Sequence, residues 1–518
     1  MTSQRNILFI VIDQLRADCL TGALADHVDM PHLQALRKEA VTFANHHSVC
    51  NPCGPARASL LTGQYAMNHG AVRNGTPLPH DTPNLATELR SAGYVPLLYG
   101  YNDSSRDPRG LDPSDPVLTS YEEVMPGFEE VVEMRLEKGE PWRKYLTSKG
   151  YDLSNWPNIY DAQGDDVCDP AMYSAEHSDT AFLTDQMLAD LAQRPPGWCA
   201  HLTYIRPHPP LVAPAPYNRM YDPADLPDPL NVSDRDTAAR EHPLHAVAME
   251  YRRAANMVDG FSDLDDSPET TAKLRAIYLG LATEVDHHIG RVVQFLHDTN
   301  QYDDTLIVVT ADHGEMLGDH HAWGKMSYHH ASHAVPLIIR DPHHPAQFGS
   351  TITHPTESVD IAPTLLHIAG VLPPDTMDGR NLCGFLQHGT QSEWRDYIYC
   401  ELDYGNPLKP TLFQQRLNLP CDQANLAILI KDTHTLVHFN GGLPPVLLEA
   451  QTGGAVRDIS AQPEAASVIL ELSQMMLSHK MTFAGGRFAH TMITSDGAKT
   501  MPRHQNTPER VAQTAKAS

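Results

Sequence analysis

The apolar positions of the chain fall into two rhythms. Asn6–Ile12 and residues 94–99, 198–205, 304–310 and 335–340 are short runs dominated by Ile, Val, Leu, Tyr and Phe. Runs of that length between polar turns predict strands buried on both faces of a largely parallel sheet. Pro31–Lys38 and residues 82–92, 180–193, 270–297 and 360–369 instead carry apolar residues at helical spacing. In 270–297, Leu274, Ile277, Leu281, Val285, Ile289 and Val293 return every three or four residues and form one stripe. Strands alternating with such helices predict an α/β fold with a large central sheet sandwiched by helices.

Past about residue 381 the rhythm changes. Short runs at 396–401, 425–430 and 435–439, then a helical stretch at 465–476, predict a small antiparallel sheet packed by a helix. The implied organisation is an α/β domain over 1–385, a C-terminal α+β subdomain over 386–485, and a polar tail over 486–518 available for an oligomer contact. Residues 107–169 and 222–266 are rich in Pro, Gly and Asp without sustained periodicity, and are read as insertions, the first walling the functional site or making an oligomer contact.

Length and charge narrow the function classes. A chain of 518 residues is too long for one ordinary core. Its 38 basic and 64 acidic residues give a net charge of −26, which opposes nucleic-acid or anionic-membrane binding. An anionic substrate would need positive charge concentrated locally. The run at Ile7–Ile12 is too short and lacks the cleavage site of a signal peptide, so a cytoplasmic location is expected. The 8 cysteines are scattered, which fits reduced thiols better than a disulfide framework.

One stretch concentrates chemistry. In Cys50-Asn51-Pro52-Cys53-Gly54-Pro55-Ala56-Arg57, prolines and a glycine are expected to delay a helix until about residue 55, with Gly63 ending it. Cys53 then lies at a helix N-terminus, where unpaired N–H groups favour negative charge. Arg57, four residues on, returns to the same face. A nucleophile beside a guanidinium suits a tetrahedral oxyanion ester. Two plainer readings stay open: a buried cysteine in a Pro-rich turn, and a Cys50-x-x-Cys53 redox or zinc pair. Asp13 and Asp312-His313 stand at the ends of two other predicted strands. Two carboxylates and one imidazole suit a divalent cation such as Mn²⁺, Mg²⁺ or Ca²⁺, although either Asp alone could simply cap a helix.

Cys53-Gly54-Pro55-Ala56-Arg57, followed by Leu60-Leu61-Thr62-Gly63, resembles the sulfatase signature Cys-x-Pro-x-Arg of the alkaline phosphatase superfamily. The N-terminal strand-Asp and the late Thr310-Ala311-Asp312-His313-Gly314 extend the resemblance. It implies that Cys53 is oxidised by a maturation enzyme to formylglycine, whose hydrated aldehyde is the nucleophile. It further implies one metal ion held by Asp13, Gln14, Asp312, His313 and residue 53. Gln14, where many sulfatases carry a second acid, resembles the phosphonate monoester hydrolase branch and makes Mn²⁺ as plausible as Ca²⁺. Met67-Asn68-His69, Arg206-Pro207-His208-Pro209-Pro210 and Gly324-Lys325 also look like that branch. By resemblance, Arg57 fixes the nucleophile. Asn74, Tyr101, His208 and Lys325 contact non-bridging oxygens or serve the leaving group. Tyr101 as plain core and Asn74 as a turn residue are the competing readings.

The departure is at Gly100-Tyr101-Asn102-Asp103, where arylsulfatases carry Gly-Lys-x-His. Asp103 is the titratable residue there and the candidate base that regenerates the aldehyde. A carboxylate at that place would disfavour dianions more than monoanions. The expectation is therefore a sulfuric ester hydrolase, promiscuous towards phosphonate monoesters and phosphodiesters. Phosphonate monoester hydrolysis as main activity is the alternative, and a non-catalytic binding protein the distant one. The expected partners are a small monoanionic ester, the formylglycine-generating enzyme, and further copies of the chain as a dimer or tetramer.

Overall fold

The structure is a computed structural model that describes residues 4–500 apart from 137, 157, 232, 452–454 and 486–490. Its main sheet has eight strands in the order Thr351–Ile352, Val41–Phe43, Leu337–Arg340, Thr305–Thr310, Asn6–Ile12, Cys199–Tyr204, Pro96–Gly100, Glu129–Glu133. The five strands from Thr305–Thr310 to Glu129–Glu133 are parallel, and Leu337–Arg340 runs antiparallel between its two neighbours. In Asn6–Ile12 the pleat sends Leu8, Ile10 and Ile12 to one core and Ile7, Phe9 and Val11 to the other. That is why the strand reads as a continuous apolar run. Leu274, Ile277, Leu281 and Ile289 of the helix Pro268–Asp298 fill the first core; Leu60, Leu61, Leu85 and Leu365 fill the second.

A second sheet runs Val456–Asp458, Val446–Ala450, His434–Phe439, Asn425–Lys431, Ile398–Asp403, Cys50–Asn51. Its C-terminal strands are antiparallel, and the helix Ala465–Phe483 covers one face through Leu472, Met476 and Phe483. Cys50–Asn51 adds a parallel edge by pairing with Glu401 and Leu402. The segment leading into Cys53 is thus stitched to the second sheet while the helix after it packs on the first.

Several local expectations are corrected. The helix spans Cys53–Thr62, so it begins at Cys53 rather than near residue 55. Pro55 falls in the first turn, where backbone N–H groups have no intrahelical acceptor and a missing one costs nothing. Ala56 N closes the first bond, to the Pro52 carbonyl at 3.0 Å, and Gly63 ends the helix at φ 64° as expected. Glu129–Glu133, inside a stretch read as structureless, forms the edge of the main sheet. It is paired on one side only and keeps two exposed glutamates, so no apolar run marks it. Residues 235–241 and 243–251, within the other excursion, are helices. Residues 491–500 of the expected tail form a hairpin, and the remainder lies outside the described residues. No helix among the described residues is long and apolar enough to cross a membrane.

Candidate active site

Four parallel strands deliver their C-terminal ends to one place. Asp13 follows Ile12, Tyr101 and Asp103 follow Gly100, His208 follows the strand ending at Tyr204, and Asp312-His313 follow Thr310. Side chains there project beyond the carboxyl edge of the sheet, where open α/β sheets bind ligands. The Cys53 helix lies across that edge.

Cys53 is buried, with its Sγ 3.2 Å from His313 Nε2 and 3.0 Å from Lys325 Nζ. Lys325 also donates to Gln14 Oε1 at 2.9 Å. Cys50 Sγ faces Ser59 Oγ at 3.3 Å instead of Cys53, and both cysteines are free, which removes the redox-pair reading. Burial pushes the Cys53 thiol up, and Asp13 pushes it further. An unmodified thiol here stays protonated, the opposite of a reactive cysteine.

Arg57 is 1% exposed and its donors are all directed at protein acceptors. Nη2 reaches Asp13 Oδ2 at 3.0 Å, Nε reaches Asp312 Oδ2 at 3.1 Å, and Nη1 reaches the Tyr101 carbonyl at 3.3 Å. Its guanidinium lies 4.2 Å from the centroid of the Tyr101 ring, whose hydroxyl donates to Asp13. Arg57 is therefore a positioning residue for the two carboxylates. Tyr101 belongs to the same network and is not plain core.

Asp13, Cys53, Asp312 and His313 are buried and bring ligand atoms within 4.8 Å of one another. Asp13 Oδ1 has no hydrogen-bond partner, although it is buried. An orphaned carboxylate oxygen facing an imidazole is the arrangement a cation would complete. Burial, with Lys325 adding to it, holds His313 well below its ordinary value, which leaves a neutral ligand. The donor set fits a divalent ion. Gln14 stands beside it, bridging Lys325 and Glu315 and accepting nothing else through Oε1; its backbone N–H donates to Asp312 Oδ1 at 3.1 Å.

A cavity of about 390 Å³ opens above Cys53, lined by Asp13, Asn74, Tyr101, Asp103, His208 and Lys325 among others. All the sequence-predicted site residues thus converge, Arg57, Gln14, Asp312 and His313 from behind the wall. Asn74 accepts from the Gly54 backbone N–H at 3.0 Å and so completes the start of the nucleophile helix. Asp103 lies 3.7 Å from Arg57 Nε, and its Oδ1 is buried without a partner. Burial raises its carboxyl to about 8; Arg57 opposes this and Asp13 and Glu122 reinforce it. Gln14 and Asp103 both hold left-handed backbone, φ 66° and 45°. Such conformations cost on the order of 1–3 kcal/mol and cluster at functional sites.

His208 Nδ1 lies 2.6 Å from the Pro209 carbonyl, so the proton sits on Nδ1 and Nε2 is the open acceptor. Burial, with Lys325 adding to it, pushes this imidazole down to about 3. For Lys325, burial acts to lower the value but the Asp13 and Asp312 carboxylates and the contact with Cys53 Sγ outweigh it, and the ammonium is held above its ordinary range. Of the two residues expected to serve the leaving group, Lys325 carries the proton.

The insertion 107–169 supplies Tyr121, Glu122 and Leu136 to the cavity wall, as its reading as a wall of the site expects, but sequence reading missed the rest of the outer wall. Arg73, Tyr251, Arg252, Asp403, Tyr404 and Phe413 line it. They come from a loop, from the excursion at 222–266, from the end of the strand Ile398–Asp403 and from the helix Leu412–Leu417. Glu315 was also missed. It accepts from Gln14 and, at 2.6 Å, from the Gly324 N–H, tying the Asp312 and Lys325 loops together. Its position in Asp312-His313-Gly314-Glu315 was the available signal.

The sulfatase family model matches residues 5–371. A phosphonate monoester hydrolase of Silicibacter pomeroyi superposes at TM-score 0.95 with 53% identity, covering 97% of this chain and 100% of that one. A phosphonate monoester hydrolase of Agrobacterium radiobacter superposes at 0.91 with 36% identity, over 96% and 100% of the chains. A multifunctional alkaline phosphatase superfamily protein of Trinickia caryophylli is 35% identical over 96% of this chain and 99% of its own. The family implies a divalent metal, a formylglycine made by a maturation enzyme, and ester substrates, consistent with the buried Asp/Cys/Asp/His cluster. On the family match and the geometry together, the chain belongs to the sulfatase family of the alkaline phosphatase superfamily and is a hydrolase of sulfate or phosphonate esters.

Proposed function

We propose that this hydrolase acts on esters singly charged at the reacting group, taking phosphonate monoesters and phosphodiesters together with sulfate monoesters. The observation that carries the reading is the local charge. Arg57 is committed to Asp13 and Asp312, so Lys325 is the cation in contact with Cys53, and the buried Asp103 faces the same cavity. One ammonium beside a carboxyl that keeps its proton near neutral pH balances a single charge on the reacting group better than two. Two solved relatives alike over the whole chain are named phosphonate monoester hydrolases, which supports phosphonate esters as the first class to assay.

When bound, a divalent ion held by Asp13, Asp312, His313 and residue 53 supplies Lewis-acid polarisation, and formylglycine supplies a geminal-diol nucleophile. The oxygen-rich donor set suits Mn²⁺ or Ca²⁺. Arg57 holds the two carboxylates in register. Lys325, anchored by Gln14, stands beside residue 53 to balance charge that develops on the ester oxygens and to give a proton to the departing alcohol. His208 Nε2 and Asp103 are the acceptors available to release the product anion from residue 53, and Asp103 takes that role above its raised value. The match of the chain to the sulfatase family supports conversion of Cys53 to formylglycine. Homo-oligomerisation and a cytoplasmic location belong to the same proposal. Met492 and Ile493, 69% and 81% exposed on the terminal hairpin, support the former.

The test is a mass spectrum of the peptide containing residue 53, followed by a panel of aryl phosphonate monoesters, phosphodiesters, sulfate monoesters and phosphate monoesters. The expected mass shows sulfur exchanged for oxygen together with the loss of two hydrogens, as an aldehyde requires. The expected kcat/KM is lowest for the dianionic phosphate monoester. A Cys53→Ala variant with wild-type turnover, or a preference for the dianionic phosphate monoester, overturns the reading.

A further inference from the structure

The outer wall of the cavity holds a cation that nothing among the described residues neutralises. Of the basic residues lining the cavity, Lys325 is bound to Cys53 and Gln14, and Arg73 is paired with Asp403 at 2.8 Å. Arg252 has no ion-pair partner and no side-chain hydrogen bond among the described residues; its one recorded contact of this kind is with the ring of Tyr251, 5.9 Å from the guanidinium carbon. Its place is nonetheless set. Gly324, at φ 77°, leaves room for the Arg252 stem, and a Cβ there would lie 3.2 Å from Arg252 Cδ. The guanidinium is thereby laid along the loop that carries Lys325, close enough to His208 to disfavour its protonation.

Beside it is an aromatic wall built from two parts of the chain. Tyr251, from the end of the helix Pro243–Tyr251, packs at 5.2 Å between centroids on Phe413, which packs at 5.4 Å on Tyr404. An arginine left unpaired on a protein of net charge −26, next to a flat apolar surface inside the substrate cavity, has a specific use. A guanidinium presents a planar fork matched to a carboxylate or phosphate, and the rings accept the face of an organic group.

Resting on the proposed ester hydrolysis, we infer that the organic part of the substrate is flat or apolar, lies on Tyr251, Phe413 and Tyr404, and ends in a second anionic group bound by Arg252. The natural ester is then doubly charged, with one charge at the reacting centre and one remote from it. Because remote binding energy can be realised in the transition state, the second charge raises kcat/KM and not only affinity.

The experiment has two readouts. The first is the ratio of kcat/KM for an aryl phosphonate monoester carrying a ring carboxylate to that for the uncharged aryl ester. In the wild type the ratio exceeds one despite the added negative charge. In Arg252→Gln it falls at least tenfold, in Arg252→Glu further, and Arg252→Lys retains part of it. The second is calorimetric binding of the two free phenols, the carboxylated and the plain one, which needs no turnover. The carboxylated phenol binds the wild type more tightly, and Arg252→Gln removes at least tenfold of that difference. Equal preference in wild type and Arg252→Gln by both readouts overturns the inference. So does a parallel loss for both esters, which would place Arg252 on the reacting group. Turnover of neither ester by the wild type defeats the proposed function, and the phenol binding still decides the role of Arg252.

Discussion

Two of the buried arginine–carboxylate–tyrosine clusters of the protein are built differently. In the first, Arg57 joins Asp13 and Asp312 with Tyr101 stacked on it. In the second, Arg395 joins Asp360 and Glu357, and Tyr65 donates to Glu357 at 2.5 Å. The second cluster is closed. Glu357 Oε1 also receives the Tyr399 N–H at 2.8 Å, and Asp360 receives Arg395 at 2.8 Å, the Arg380 N–H at 2.8 Å and the Glu357 N–H at 2.9 Å. The first is open, with Asp13 Oδ1 and Asp103 Oδ1 buried and unpartnered. Burial cost is similar in both, so the orphaned oxygens mark the one that expects a ligand. The closed cluster pins the Tyr65 turn to the second sheet and is read as structural.

The sharpest way to break this comparison is to remove each arginine. Arg57→Met should lower kcat/KM by at least about 100-fold, because the carboxylates lose their register. Arg395→Met should instead lower unfolding free energy by roughly 3–5 kcal/mol, since it strands two buried acids, and leave the folded fraction active. Urea unfolding paired with kinetics on each variant decides this; a large activity loss in stable Arg395→Met would erase the distinction.

Metal sharpens it further. Chelation should abolish turnover, and Mn²⁺ or Ca²⁺ at about 100 times its Kd should restore it and stabilise the protein by about 2.7 kcal/mol. Thermal scans read that shift, which Asp13→Asn should remove and Glu357→Gln should not.

The smallest effect is on pH dependence. Asp103, raised by burial to about 8, keeps its proton in the folded state while an unfolded chain loses it near the ordinary carboxylate value. The unfolded state therefore binds fewer protons through that window, and the stability of chelated protein should fall as pH rises towards 8, by up to about 1.4 kcal/mol per unit, then level off. Asp103→Asn should remove that slope. An unchanged slope in the variant would show that Asp103 is already ionised, for instance through Arg57.

Several elements were readable in the linear chain because their determinants are local. Asn6–Ile12 is apolar at every position except its first because both faces are covered, and the long helix shows its stripe because one face meets the sheet. Cys53, Arg57, Asp13 and Asp312-His313 stood out because motif spacing and strand ends are sequence properties. Glu129–Glu133 was invisible, since an edge strand with one partner needs no hydrophobic signature.

What the sequence determined by itself was the residue types at the strand ends and hence the kind of chemistry available. The tertiary structure alone decided how each is used. Arg57 faces two carboxylates and not the cavity, His208 has its Nδ1 directed at a carbonyl and its imidazole held neutral, and Arg252 arrives from a segment that reads as a featureless excursion. The reason is physical: donor direction, desolvation and the presence or absence of a counter-ion depend on groups brought together from distant parts of the chain, and no local pattern encodes them.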